Sequence, residues 1–465
     1  MLMWSAVLFA LVRSSFLEFR FGRYDLGNMV QAVWSTTQGR PLETTLGTGE
    51  QVTRLAVHVD PILVLFAPLF ALWPSPLLLA GVQIAACALG ALPVFWLARR
   101  HLASEKAAGL LALTYLAYPW LAWTASDAMH PVTLAIPLFL YAIWFLDSDR
   151  IVAFALCALL IAATGELMGL PLAALGLWYW LARGQRRSGL AIAAAGFAWT
   201  LLAVKVVVPH FHGEESPFYS YYASVGGSPE GVLRTLFTDP GAIAEALGTH
   251  RDLLYLLALS VPLAGTFLLA PMLAAVAIPQ LAANGLSSIE GATDPSGHHI
   301  AGVIPFLIAA AVLGVARLPS ARRIPAVAAM LALSVAFSVL VGPWPGVPGE
   351  RARYGAPAAD QVEALREAVV LVPDGAAVAA TNKAGSHLSA RRRFFSVPVL
   401  RDAEWVVVDT RDPWIPLPPG TPDRPTWGRK DPALILAFSV RLERSSSWRK
   451  IYERSGVLVF QKVRR

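Results

Sequence analysis

One polar stretch decides how this chain folds: RFGRYDLG, at residues 20–27. It follows an apolar segment and opens a long polar loop. From Leu26 to Trp34 apolar residues recur at helical spacing, which predicts an amphipathic helix on a membrane surface with Asp25 at its start. A carboxylate just after a membrane span could act as a base between water and lipid. Asp25 is therefore the first candidate catalytic residue, although a helix-capping role alone would also suit it.

Composition places most of the chain in a lipid bilayer. The 465 residues are 56% hydrophobic and only 15% charged, whereas soluble proteins carry roughly 25% charged residues. The net charge of +7 does not indicate a nucleic-acid partner, because the basic excess lies only after Gly342, where 20 basic residues face 13 acidic ones. Cys87 and Cys157 both lie in apolar segments, which excludes a disulfide framework or a cysteine metal site.

The apolar segments predict a multi-pass protein, since one span needs about 20 apolar residues. We expect about eleven spans. They lie near residues 2–17, 77–98, 106–123, 131–146, 150–164, 167–182, 188–208, 251–269, 270–285, 300–317 and 324–341. This predicts an α-helical polytopic membrane domain at 1–345, with its first outer loop and juxtamembrane helices at 18–76.

Basic residues in the short loops predict the orientation. Four arginine-containing loops, at 99–106, 150, 183–187 and 317–323, share one side if residues 61–73 do not cross the membrane. We therefore predict a protein of the cytoplasmic membrane with its N-terminus inside. The loops 18–76, 124–130, 209–250 and 286–299, and everything after 342, then lie outside. Residues 346–465 read as a small extracytoplasmic α/β domain, with strands such as Trp405–Asp409.

Most acidic and histidine residues fall on the predicted outer side, which suggests a polar cavity there. Glu166 lies between two spans, and an ionisable group at such a position is a functional candidate. Asp60 and Asp127, near His58 and His130, could bind a divalent cation such as Mg²⁺ or Mn²⁺, or could serve only as turn and cap residues. His298 and His299 precede a late span and either face the cavity or lie in a simple loop.

Two interpretations also fit the arginines of the first loop, Arg20 and Arg23, which lie beside Tyr24. Guanidinium groups at this depth anchor a protein to lipid headgroups, or bind the phosphate of a lipid-linked substrate. The chain has no P-loop, no G-x-S-x-G and no H-E-x-x-H motif, which argues against nucleotide hydrolysis and the common hydrolases.

Several motifs resemble one family of membrane proteins, domain-of-unknown-function family 2079. The similar motifs are Tyr24-Asp25-Leu26-Gly27, Gln31-Ala32-Val33-Trp34, His58-Val59-Asp60-Pro61, Asp127-Ala128-Met129-His130-Pro131 and His298-His299-Ile300. That family looks related to the GT-C glycosyltransferases, such as the protein mannosyltransferases and the aminoarabinose transferase. Two positions depart from the expected pattern: Val30 stands in place of an acid, and Gly165-Glu166-Leu167 in place of Lys-Glu-Asp.

The resemblance implies an inverting glycosyltransferase that takes sugar from a polyprenyl-phosphate donor in the outer face of the membrane. Asp25 would correspond to the catalytic aspartate. Arg20, Arg23 and His298 would hold the phosphate, with Tyr24, His58, His130 and His299 as further substrate-binding residues. Glu166 would orient the acceptor or a cation. A transporter or lipid flippase, or a non-catalytic membrane scaffold, remain alternative interpretations, and the sugar, the acceptor and the oligomeric state stay open.

Overall fold

The computed structural model describes residues 1–347, 357–417 and 428–463. Helices dominate this part of the chain, and a five-stranded sheet lies in the C-terminal region, which confirms the predicted fold class. The chain forms two compact units. Unit 1 contains Met1–Ala10, Val57–Ile62 and the described residues of 81–350, and unit 2 contains Leu11–Ala56, Leu63–Ala80 and the described residues of 351–465.

Nineteen α-helices lie in the described residues before 348. They are α1 (Leu2–Leu17), α2 (Asn28–Thr37), α3 (Ala67–Leu72), α4 (Pro76–Leu89), α5 (Ala91–Leu102), α6 (Glu105–Ala117), α7 (Pro119–Ser126), α8 (Ala135–Asp147), α9 (Ile151–Ala162), α10 (Gly169–Arg183), α11 (Arg186–Leu202), α12 (Val208–His212), α13 (Pro229–Thr238), α14 (Pro240–Leu247), α15 (His250–Ser260), α16 (Pro271–Ala274), α17 (Ile278–Leu286), α18 (Ile304–Arg317) and α19 (Ser320–Val341). Short turns carry several site residues: a π-helical turn at Arg23–Gly27, and 3₁₀ turns at Pro131–Leu134, Glu166–Met168, Pro217–Val225 and His298–Ile300.

The remaining helices and all the strands belong to unit 2. The helices are α20 (Ala359–Val370), α21 (Asn382–Leu388) and α22 (Pro432–Arg444). The strands are β1 (Glu43–Thr45), β2 (Gln51–Thr53), β3 (Val378–Ala380), β4 (Phe394–Ser396), β5 (Trp405–Asp409), β6 (Trp414–Pro416), β7 (Gly428–Lys430), β8 (Trp448–Arg454) and β9 (Val457–Lys462).

The predicted spans are not all continuous helices. Among the described residues, three helical stretches are long and apolar enough to cross a membrane: Pro76–Leu102, Arg186–His212 and Ser320–Val341. Two predicted spans, at 251–285, are broken into short pieces that begin at or next to a proline, namely Pro262, Pro271 and Pro279. A proline has no backbone N–H and clashes with the preceding turn, so it starts a helix more readily than it continues one.

Close helix packing in unit 1 fixes the position of Glu166. A methyl group added at Gly176 would lie 2.5 Å from the backbone nitrogen of Ala193, and one added at Gly189 would lie 2.7 Å from the carbonyl oxygen of Gly176. Helices α10 and α11 can therefore touch along their backbones, as small residues allow in membrane proteins. The Thr200 hydroxyl of α11 then donates to the carbonyl oxygen of Glu166 at 3.0 Å, just before α10 begins.

The core of unit 2 is a mixed sheet with strand order β4-β3-β5-β9-β8. Strand β3 pairs in parallel with β4 and β5, and β9 runs antiparallel to β5 and β8. The three central strands, β3, β5 and β9, consist almost entirely of apolar residues because both faces of the sheet are buried. One face packs against residues such as Leu365 of α20, and the other against residues such as Phe438 of α22.

Unit 2 is larger than the predicted domain at 346–465, because it also contains most of the first loop. The helix expected from Leu26 to Trp34 forms as α2, but its apolar residues Met29, Val30 and Val33 are buried inside the unit. The prediction that this face lies on a membrane surface is therefore wrong. The buried Gln31 amide of α2 donates to the carbonyl oxygens of Arg391 and Arg392 at 3.1 and 2.9 Å, which ties the loop to the C-terminal sheet.

Candidate active site

Six acidic and histidine side chains of unit 1 lie at one end of its helices. Asp127 caps the end of α7, and the turns that carry Glu166 and His298 precede α10 and α18. The opposite ends of α10 and α18 carry Arg183 and Arg317. We refer to the gathered residues as the acid–histidine cluster: His58, Asp127, His130, Glu166, His298 and His299.

A buried glutamine holds the turn between α7 and α8. The side-chain amide of Gln83 in α4 lies 3.2 Å from each of the carbonyl oxygens of Thr124, Ala125 and Asp127. Its carbonyl oxygen accepts from the backbone N–H of His130 at 2.9 Å. Gln83 is fully buried, so breaking these bonds would leave polar atoms unsatisfied in an apolar span. The turn that carries Asp127 and His130 is therefore rigidly placed.

Asp127, His130 and His298 form a possible metal-binding triad. Their candidate ligand atoms lie within 4.8 Å of one another. Asp127 Oδ2 is 3.8 Å from His130 Nδ1 and 3.9 Å from His298 Nδ1. His130 Nδ1 lies 2.5 Å from the carbonyl oxygen of Ala128, which places the proton on that nitrogen and leaves Nε2 as the ligand atom.

This donor set fits a cation with a mixed oxygen and nitrogen preference. Two imidazoles and one carboxylate suit Mn²⁺ or Zn²⁺ better than Mg²⁺, which prefers oxygen ligands. Three protein ligands would also leave a coordination position for a substrate oxygen. The predicted partner of Asp127 was Asp60, which is buried but is not one of these three residues.

The His298–His299 turn is held from both sides. Thr124 donates to the carbonyl oxygen of Gly297 at 2.7 Å, and Asn284 of α17 donates to that of His299 at 3.0 Å. The rings of His130 and His298 stack at 3.7 Å. Burial, with the neighbouring imidazoles, holds the pKa of His298 well below its usual value and lowers that of His299 to about 4. Both rings are neutral at pH 7, which is the form that binds metals.

Glu166 and His58 form a second pair within the cluster. His58 Nδ1 lies 3.3 Å from Glu166 Oε1, and the backbone N–H of Val59 donates to Glu166 Oε2 at 3.1 Å. Burial alone would raise the pKa of Glu166, but His58 and these hydrogen bonds outweigh burial and place the pKa below its usual value. Glu166 is therefore an ionised carboxylate, and its contact with Nδ1 fixes the orientation of the half-exposed His58 ring.

An aromatic segment adjoins this pair. The Phe218 ring lies 4.7 Å from the ring of His58. Burial, with a contribution from the charge of Glu166, raises the pKa of Tyr222 to about 12. Both aromatic residues come from the turn at Pro217–Val225, whose approach to Glu166 was not predicted. The sequence signal that could have indicated this contact is an aromatic run in a predicted outer loop, Phe218-Tyr219-Ser220-Tyr221-Tyr222.

Asp25 lies in unit 2, in the π-helical turn that precedes α2. Its side chain is exposed, whereas Arg23 and Leu26 on either side are buried to 0% and 1% exposure. Single π-helical turns are rare and often occur at functional sites. The turn therefore presents the Asp25 carboxylate from a fixed backbone.

The three neighbouring predicted substrate-binding residues have protein partners in unit 2. Arg20 forms an ion pair with Glu18 at 2.6 Å. The Arg23 guanidinium donates to Ser396 Oγ at 2.6 Å, to the carbonyl oxygen of Phe394 at 3.2 Å and to that of Thr45. The Tyr24 ring packs against that of Trp414 in a tilted arrangement, with 4.7 Å between the ring centres. These contacts favour a structural role for Arg23, and phosphate binding by Arg20, Arg23 and Tyr24 stays a prediction.

Asp147 organises the opposite end of the unit 1 helices. It lies at the end of α8, and its carboxylate is 3.2 Å from Arg100 and from Arg183 and 3.0 Å from His101. The arginines of two predicted cytoplasmic loops therefore meet at one carboxylate. We refer to Asp147, Arg100, His101 and Arg183 as the ion-pair cluster.

Comparison with known proteins identifies the family. The family described as "Predicted membrane protein (DUF2079)" matches residues 17–459 of this chain. The chain belongs to this family. This confirms the resemblance seen in the sequence and makes the chain a membrane protein. No curated protein matches it.

Solved structures share the fold. The crystal structure of ArnT from Cupriavidus metallidurans bound to undecaprenyl phosphate has a TM-score of 0.55 and 12% identity, over 99% of this chain and 98% of the ArnT chain. The apo state of the same ArnT gives a TM-score of 0.48 and 14% identity, over 98% of each chain. At 12% identity, the likeness to the first of these structures shows that this chain has an ArnT-like fold over 99% of its length.

Sequence reasoning named every member of the acid–histidine cluster but missed Gln83. A glutamine inside an otherwise apolar span is a signal for a buried polar contact. It was not possible to tell from the sequence which loop Gln83 would hold, because the Asp127–His130 turn lies more than 40 positions away.

Proposed function

We propose that this chain is an integral membrane glycosyltransferase that moves a sugar from a polyprenyl-phosphate donor to an acceptor at the outer face of the cytoplasmic membrane. The observation that carries the proposal is the acid–histidine cluster, built by an ArnT-like fold. The ArnT structure with the TM-score of 0.55 is bound to undecaprenyl phosphate, which supports the same class of lipid phosphate as partner here.

Unit 1 would bind the phosphate end of the donor. A divalent cation on Asp127, His130 and His298 would supply positive charge to the phosphate oxygens, where negative charge grows as the sugar leaves. The Glu166 carboxylate would accept from His58 Nδ1 and hold the ring in one orientation, which leaves Nε2 to accept a hydrogen bond from a hydroxyl of the sugar. The neutral His299 completes the polar lining.

Asp25 would act as the general base. Its carboxylate takes the proton from the acceptor hydroxyl while that oxygen attacks the anomeric carbon. The bond between the anomeric carbon and the phosphate oxygen breaks, the polyprenyl phosphate leaves with the bonding electrons, and the configuration inverts. Because phosphate is already a good leaving group, positioning and charge neutralisation would provide most of the rate enhancement.

The test follows the leaving group, because the acceptor is not identified. The purified protein in liposomes is incubated with a panel of polyprenyl-phosphate sugars, and release of polyprenyl phosphate is measured by mass spectrometry. We expect release by the wild type, and at least a roughly 1,000-fold loss in Asp25→Asn. Glu50→Gln, an exposed acid in the same loop, is the control and should keep full activity.

Two outcomes would contradict the proposal. Full activity in Asp25→Asn would remove this residue from the mechanism. Movement of intact donor across the bilayer, with no sugar released from any member of the panel, would instead support the lipid flippase.

A further inference from the structure

The π-helical turn at Arg23–Gly27 packs closely on helix α21, which follows strand β3 of the C-terminal sheet. A methyl group added at Gly385 of α21 would lie 2.7 Å from Cβ of Arg23, and one added at Gly22 would overlap the side-chain amide of Asn382. On the other side of the turn, a methyl group at Gly27 would lie 2.5 Å from Ser389 Oγ. Glycines on both surfaces therefore permit a contact that larger residues would prevent.

Hydrogen bonds hold the same turn. The side-chain oxygen of Asn382 accepts from the backbone N–H of Arg23 at 2.9 Å and from that of Tyr24 at 3.4 Å. These N–H groups belong to the two residues immediately before Asp25. They lie in the first turn of the helix, where backbone N–H groups have no carbonyl acceptor within the helix itself. Asn382 therefore caps the turn that presents Asp25, although 357 residues separate the two in sequence.

The Arg23 side chain adds a second attachment, to strand β4. It is fully buried and donates to Ser396 Oγ and to the carbonyl oxygen of Phe394. Its guanidinium lies 4.7 Å from the centre of the Phe394 ring. A buried charge in such a site is stable only while its partners are in place, so any shift of the turn would cost several contacts together.

The chain is also anchored where it enters the turn. Phe19 has a positive φ of 55°. Its buried ring stacks on His387 of α21 at 3.9 Å, and Phe16 stacks on the same imidazole at 4.0 Å. Helix α21 thus contacts both the entrance of the turn and the turn itself.

We propose that the C-terminal α/β domain is the scaffold that positions Asp25, with Asn382, Arg23 and Ser396 as positioning residues. This inference rests on the proposed function, in which Asp25 is the base. A base held to within a fraction of an ångström needs support from a second set of residues, and a displacement of about 1 Å can lower a rate by roughly 100-fold. The domain then serves catalysis without contributing a residue that touches the substrate.

The first test separates positioning from binding. Asn382→Ala removes the cap, and we expect kcat to fall by roughly 10- to 100-fold while KM changes by less than about twofold. Asn382→Asp keeps an acceptor oxygen and should restore most of kcat. Ser439→Ala, a buried serine of α22 on the other face of the sheet, is the control and should leave kcat unchanged.

The second test measures the turn itself and needs no activity. A nitroxide label on Asp25→Cys reports local mobility, and the native Cys87 and Cys157 are buried and so protected from labelling. We expect an immobilised spectrum in Asp25→Cys, a mobile one in Asp25→Cys/Asn382→Ala and an immobilised one in Asp25→Cys/Ser439→Ala. Identical spectra in all three, or an unchanged kcat in Asn382→Ala, would overturn the inference. Full activity in Asp25→Asn would overturn the proposed function instead, whatever the spectra show.

Discussion

The two ends of the unit 1 helices use carboxylates in opposite ways. In the ion-pair cluster, Asp147 is buried and faces two arginines and a histidine at 3.0–3.2 Å. In the acid–histidine cluster, Asp127 is equally buried but faces two imidazoles at 3.8–3.9 Å. Two of the groups that face the first carboxylate are arginines, which are permanently charged. The second faces His130 and His298, and burial holds the pKa of His298 well below its usual value.

The difference distinguishes a structural cluster from a binding site. Charge pairs at hydrogen-bond distance leave no room for a ligand, and they join the ends of α5, α8 and α10. The candidate ligand atoms of the triad lie within 4.8 Å of one another and are held in place by Gln83 and Thr124, a spacing that suits an ion between them. We therefore expect the loss of Asp127 to affect binding, and the loss of Asp147 to affect stability.

The largest expected effect is on metal affinity. Asp127→Asn replaces the only charged ligand of the triad with a neutral amide, so the Kd for Mn²⁺ should rise by more than about 100-fold. Titration of the purified protein with Mn²⁺, followed by electron paramagnetic resonance, measures this directly. Equal affinity in the wild type and in Asp127→Asn would show that the triad is not a metal site.

A smaller effect is expected at the other end. Asp147→Asn leaves Arg100 and Arg183 without their shared carboxylate, and should lower the free energy of unfolding by about 2–3 kcal/mol. The arginines are partly exposed, which keeps the cost below that of a fully buried pair. Thermal unfolding in detergent measures the loss, and the Mn²⁺ affinity of the folded variant should equal that of the wild type. A weakened Mn²⁺ site in this variant would remove the contrast between the two ends.

The smallest effect concerns Glu166. Because its pKa is lower in the folded protein than in the unfolded chain, its ionised form stabilises the fold above about pH 4.5. This contribution is lost as the pH falls through the folded-state pKa. The stability difference between wild type and Glu166→Gln, on the order of 1 kcal/mol, should therefore be complete at pH 6 and shrink below pH 4.5. Glu105→Gln, at an exposed acid, should show no such trend in thermal unfolding from pH 3 to 7.

The sequence predicted the class of fold and the membership of the cluster for identifiable reasons. Apolar periodicity and the loop arginines are local signals, and they predicted a helical membrane domain followed by an α/β domain. Glu166 and His58 are 108 positions apart, so their contact could not be derived from spacing. Each became a candidate from its own position, Glu166 between two spans and His58 in the first outer loop, and the structure supplied the distance between them.

Arg23 and α2 show why other expectations were incomplete. A basic residue and an amphipathic helix after a first span predict a membrane surface when only neighbouring residues are considered. Both are buried against β4 and the Arg391–Arg392 backbone, which follow more than 350 residues later. A local sequence pattern does not show that a segment will be buried against residues hundreds of positions further along the chain. The sequence likewise suggested Asp60 and Asp127, near His58 and His130, as cation ligands, and only the fold brings His298 beside Asp127 and His130.

The most direct test of the account is to map where a lipid phosphate binds. A polyprenyl phosphate with a photoreactive group next to the phosphate is crosslinked to the purified protein, and labelled peptides are identified by mass spectrometry. The account predicts labelling of the peptides that contain Asp127–His130 and His298–His299, and loss of that labelling with excess unlabelled lipid. Labelling concentrated at Asp147 and Arg183, or spread evenly over the lipid-facing helices and unchanged by the competitor, would contradict it.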